Sequence, residues 1–132
     1  MIDKIDKVAL DARTDAIEAA YEFFLAYAAQ GLQTESGSGA QVREFLGGFA
    51  SALTGLGAFF TDYIASLNLD VTPYHAFVDV IDRDARDAHA AIEMVLAQPS
   101  INSQIVDNLN ANIHVRALLT DLFLIDEILK NR

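Results

Sequence analysis

The sequence has no cysteine, no tryptophan and two prolines, and it sets nine lysines and arginines against nineteen acidic residues. Each shortage excludes a class of chemistry. Without cysteine there is no disulfide framework, thiolate metal site or cysteine nucleophile, and a cytoplasmic location is the expectation. Scarce proline leaves long stretches free to be helical. A formal net charge of −10 argues against nucleic acid, whose phosphates call for clustered Lys and Arg, and against an anionic membrane surface. It favours solubility, or a basic protein as partner. The first fifteen residues, MIDKIDKVALDARTD, alternate charged and apolar side chains and lack the apolar core of a signal peptide.

What is present is helical periodicity. At 132 residues, 52% of them hydrophobic, the chain is read as one domain with enough apolar surface for a real core. Turn signals cut it in three places. In GLQTESGSGA, residues 31–40, Ser38 and Gln41 have the spacing of a capping box. In NLDVTPY, residues 68–74, Thr72 is the expected cap and Pro73 the first helical residue. In AQPSIN, residues 97–102, Pro99 stops one helix and Ser100 is placed to cap the next. The pieces, residues 3–30, 39–67, 73–98 and 101–131, are similar in length and closely connected. They predict an all-α fold, an antiparallel up-down-up-down four-helix bundle.

The second helix carries the least usual pattern. EFLGGFASALTGLGAFFTDY, Glu44 to Tyr63, has four glycines and no charge between Glu44 and Asp62. That uncharged run is short for a bilayer, and its neighbours are too charged to accompany it. Phe45, Leu46, Phe49, Leu53, Leu56, Phe60 and Ile64 share one face, which predicts a core. The opposite face holds Gly48, Ala52, Gly55 and Phe59, where charged residues would be ordinary. A glycine inside a helix costs roughly 1 kcal/mol against alanine, and close approach of another backbone would offset that. The fourth helix is apolar almost all round after His114, with Phe123, Leu124 and Ile128 beyond any single face. Its apolar centre swings there, so the helix bends or its second half is covered on both sides. A homodimer burying Gly48, Ala52, Gly55, Phe59, Phe123, Leu124 and Ile128 answers both patterns.

Chemistry is sparse. His75–Asp79 and His89–Glu93 stand four apart, a metal-compatible spacing, and His89 with Glu93 is the metal candidate. The Glu-x-x-His pairs of helical di-metal sites are missing: Thr72, Arg86 and Ala111 precede the histidines by three. A bundle with a mid-helix histidine resembles histidine phosphotransfer domains in architecture, but Ile92 and Glu93 stand where those carry Lys and Gly. Asn108 and Asn112, in register with Ile105 and Leu119, are polar residues on a core-facing stripe; with His114 they are the candidates for a small-ligand pocket. No nucleophile with a paired base and no phosphate or dinucleotide loop occurs. The sequence therefore predicts a non-enzymatic interaction or scaffold protein without a cofactor, homodimeric through apolar helix surfaces. The alternatives are a ligand- or metal-binding bundle, or an acidic inhibitor of a basic enzyme.

Overall fold

A computed structural model describes residues 3–35 and 39–130, with side chains from 7–35 and 41–130. The described residues form six helices and no strand: α1 (Asp3–Ala29), α2 (Gly39–Leu53), α3 (Leu56–Ser66), α4 (Thr72–Leu96), α5 (Ser103–Ala111) and α6 (Ile113–Leu129). The fold is all-α, as the periodicity predicts. None of these helices is long and apolar enough to cross a membrane. The cap expected of Ser38 lies outside the described residues.

Two helices expected to run unbroken are divided. The 39–67 segment stops at Leu53, and Gly55 takes the left-handed conformation with φ 68° before α3 begins. Glycine adopts that conformation without steric cost, so Gly55 ends a helix rather than lying inside one. The carbonyls freed at the break find Arg13 of α1, whose guanidinium donates to Ala52 at 3.1 Å and Thr54 at 2.7 Å. The same guanidinium lies 4.7 Å from the centre of the Phe59 ring, a cation–π contact that steadies it. The 101–131 segment divides at Asn112, which is extended (φ −62°, ψ 134°) and accepts from the backbone N–H of His114 at 3.0 Å. Asparagine competes well for such a cap. This break explains the swing of the apolar face near His114.

Two other caps differ from expectation. Thr72 is already helical, and its N–H donates to Asp70 at 3.1 Å. Asn102, not Ser100, caps α5 by accepting from Ile105 N–H at 2.8 Å, while the Ser100 hydroxyl accepts from Glu35 N–H.

One contiguous apolar core runs through the chain, with Ile17, Phe24, Tyr27, Leu46, Phe49, Ile64, Ile81, Ile92, Ile101 and Leu118 almost wholly out of water. Within it α1 packs on α2 and α5, while α4 packs on α2, α3 and α6. A polar clamp fastens one end. The Tyr27 hydroxyl donates to Ile101 O at 2.6 Å, and the Ser103 hydroxyl donates to Tyr27 O at 2.6 Å while accepting from Leu32 N–H at 2.8 Å. Burial pushes the Tyr27 phenol above its ordinary range, with the negative charge of Glu35 adding to the shift. Alongside, Arg43 grips Glu35 through two bonds of 2.7 and 2.9 Å and donates to Leu96 O and Gln98 O. It thereby serves carbonyls at the α4 C-terminus that the helix leaves unsatisfied.

Candidate functional site

A groove of about 270 Å³ opens between α1 and α6. Its two walls are helical stripes. From α1 come Thr14, Ile17, Glu18, Tyr21 and Glu22; from α6 come Leu119, Leu122, Phe123 and Asp126. Spacings of three, four and seven put each set on one side of its helix. Ile17, Leu119 and Leu122 are buried and form the floor, whereas Phe123 is 59% exposed at the edge. Glu18, Glu22 and Asp126 stand exposed along the rims, and no lining residue is cationic. Lys130, one turn beyond Asp126, bonds to Glu127 at 2.9 Å and also feels Asp126. An apolar floor between acidic rims has the means to hold an apolar body carrying positive charge.

Across α6, on the side facing α4, lies an acidic pair. Asp121 is pushed up to about 7, first by burial, then because its protonated carboxyl hydrogen-bonds to Asp84, whose charge also opposes ionisation. Its Oδ2 is buried without a hydrogen-bond partner. Two carboxylates in contact cannot both ionise cheaply, so the pair keeps a proton across the α4–α6 seam as pH rises to about 7.

The residues singled out from sequence disperse. Asn108 is exposed and accepts from Gln104 at 3.4 Å, Asn112 caps α6, and exposed His114 lies 3.8 Å from Asp87. They do not converge on a cavity; the buried amide of this region is Asn110, two residues from either candidate, its Oδ1 without a partner. His89 and Glu93 approach to 3.7 Å, His89 partly buried and Glu93 exposed, and no group of three or more metal-competent side chains occurs among the described residues. His89 instead lines a shallow hollow with Asp82 and Arg86 beside the Thr54–Gly55 break.

The glycine face also reads differently. Nothing lies within 4 Å of where a Cβ would stand on Gly47, Gly48 or Gly55. Ala52 is buried inside the chain, and Phe59 is half-covered with Arg13 over its ring. The close approach falls on Gly57, where a Cβ would meet Asp82 of α4 at 2.5 Å. Of the expected interface residues, Phe123, Leu124 and Ile128 remain as large apolar side chains in water, at 59%, 53% and 43% exposure.

Sequence reasoning did not find the groove or the Asp84–Asp121 pair. The signal for the groove was present, because Asp15, Glu18 and Glu22 flank the apolar line of Ile17 and Tyr21. That an α6 stripe stands opposite with a gap between is a tertiary fact. Comparison with known proteins finds no matching family, curated protein or solved structure.

Proposed function

We propose that this chain is a non-enzymatic interaction protein that works through the surface of α6 and associates with a second copy of itself there. The observation carrying this reading is the exposure of Leu124 and Ile128 on a helix whose other side is already packed in the core. Burying such side chains is the usual reason a folded surface keeps them. Leu124 and Ile128 are one turn apart and form, with Ala117, a strip on the side of α6 away from the groove. A chain of net charge −10 repels its own copy over most of its surface, so the apolar side chains of Leu124 and Ile128 are where two copies approach at least cost.

The same reading arranges the six helices as four rows, namely α1, α2 with α3, α4, and α5 with α6, of an antiparallel up-down-up-down bundle. The bond from Tyr27 near the end of α1 to Ile101 just before α5, and that from Arg43 early in α2 to Leu96 at the end of α4, support the alternation.

Sedimentation velocity over a range of concentrations tests the self-association. The parent is expected to run as a dimer, and a Leu124→Glu, Ile128→Glu double variant as a helical monomer. A parent that stays monomeric throughout would remove self-association from the reading.

A further inference from the structure

We infer that the α1–α6 groove is a docking site for a cationic amphipathic helix of a partner protein. The inference rests on the reading of this chain as an interaction protein, but not on its self-association, which uses another side of α6. Shape supplies the first argument. Thr14 to Glu22 on one wall and Leu119 to Asp126 on the other each run roughly 10–12 Å, at 1.5 Å per residue. That length matches about two turns of a helix presenting apolar residues at i, i+3 or i+4, and i+7. Ile17, Leu119 and Leu122 offer such a face a floor, and Phe123, more than half in water, stands at its edge.

Charge selects the occupant. Glu18, Glu22 and Asp126 line the rims without a cation among them, and Asp15 extends the α1 rim by one further turn. A helix carrying Lys or Arg beside its apolar stripe would meet three to four carboxylates while its apolar face fills the groove. A second copy of this chain is a poor occupant, since its nineteen acidic residues outnumber its nine Lys and Arg and would bring like charge to the rim. An anionic membrane surface is opposed for the same reason.

The test is a binding titration by fluorescence anisotropy, using the intact protein and a labelled peptide of about 18 residues. The peptide carries Leu at i, i+3, i+4 and i+7 and Lys on its polar face; a counterpart replaces Lys by Glu. The Lys peptide is expected to bind and to weaken as salt rises from about 50 to about 500 mM, while the Glu peptide does not bind. Neutralising the rim with Glu18→Gln, Glu22→Gln and Asp126→Asn is expected to lower affinity on the order of tenfold. Phe123→Lys, at an exposed position that leaves the core intact, abolishes binding. The same loss of charge placed elsewhere, with Asp62→Asn, Asp79→Asn and Glu93→Gln, leaves it unchanged, which separates the groove from attraction to a generally acidic surface. Failure of the Lys peptide to bind overturns the inference, as does equal weakening by both triple variants or tight binding to the Phe123→Lys protein. Because sedimentation of the peptide-free protein reports self-association separately, a dimer that ignores the peptide leaves the interaction reading standing and the groove without this occupant.

Discussion

Asp82 of α4 lies directly against the bare Cα of Gly57 in α3, so a Cβ at position 57 would stand 2.5 Å from the Asp82 Cβ and 2.7 Å from its Oδ1. The Cβ of Asp82 is tied to its own helix and cannot swing away as the tip of a long side chain would. Gly57→Ala therefore forces α3 and α4 apart, at a cost of about 1–3 kcal/mol. That exceeds the roughly 1 kcal/mol a helix gains when alanine replaces an interior glycine. Gly48 faces open space, so Gly48→Ala keeps only the gain and is expected to stabilise by about 0.5–1 kcal/mol. Urea denaturation of the two variants gives opposite shifts of midpoint; shifts of the same sign would show that the α3–α4 contact is not tight.

Ser103 is 3% exposed and its hydroxyl is engaged on both sides, donating to Tyr27 O and accepting from Leu32 N–H. Ser103→Ala leaves the Leu32 amide short of a partner and Tyr27 O with the Gln30 N–H alone, at 3.2 Å, while changing volume little. Stranded buried groups of this kind cost about 1–3 kcal/mol. Tyr27→Phe removes a single bond, to Ile101 O, and should cost about 1 kcal/mol. Thermal unfolding followed by circular dichroism orders the two: Ser103→Ala is expected to melt below Tyr27→Phe, and the reverse order would make the phenol the stronger half of the clamp.

Two acidic groups pull stability in opposite directions with pH. An aspartate in an unfolded chain titrates near about 3.9, whereas Asp121 in the fold holds its proton up to about 7. Between those values the folded state binds more protons than the unfolded one, so stability falls as pH rises through the interval and then levels. Glu35 does the opposite. The hydrogen bonds from Arg43 hold its carboxyl below the usual range, so its contribution is present above that range and lost as pH falls through it. The resulting maximum lies in mildly acidic solution. Asp121→Asn removes the descending slope and is expected to be more stable than the parent near about pH 8, with a smaller difference or none near about pH 5. Denaturation midpoints at both pH values decide it; parallel profiles for parent and variant would mean that Asp121 does not titrate in this interval.

Where sequence legibility ended is visible residue by residue. Apolar spacing carried the helical class and a core face, since Leu46, Phe49, Leu53, Leu56, Phe60 and Ile64 are buried as their period requires. The breaks were harder, because neither Gly55 nor Asn112 is a helix stop by residue type alone. Gly55 stops α2 where Arg13 waits to take the Ala52 and Thr54 carbonyls, and Arg13 lies about forty residues away, as the separations of 39 and 41 show. Glycines on a wheel likewise do not say which is approached. Gly48 and Gly57 look alike in sequence, yet the second alone of the two meets another helix. The groove was half legible: its α1 wall shows in the stripe of Ile17, Glu18, Tyr21 and Glu22, but the gap before α6 depends on how that helix restarts after Asn112. Asp121 carried no local sign of its raised proton affinity, since Asp84 reaches it only once α4 and α6 are packed.

That restart also decides which amide is buried, and the consequence is testable. An unbroken helix would have put Asn108 and Asn112 on the core-facing stripe; the break turns Asn112 into a cap and leaves Asn110 inside, 6% exposed, with its Oδ1 unpartnered. A buried amide oxygen without a donor has lost its water and gained nothing in return. Leucine has the same branching at Cγ and no polar atom, and replacing a stranded polar group by an apolar one of similar shape relieves that loss. Asn110→Leu should therefore stabilise the fold by about 1 kcal/mol, visible as a higher urea midpoint at unchanged slope. Asn108→Leu, on an exposed position, should change stability by no more than about 0.5 kcal/mol. A marked loss of stability in Asn110→Leu would show that the amide is held by a partner, such as a trapped water, and that its polarity helps to seat α5 on α1.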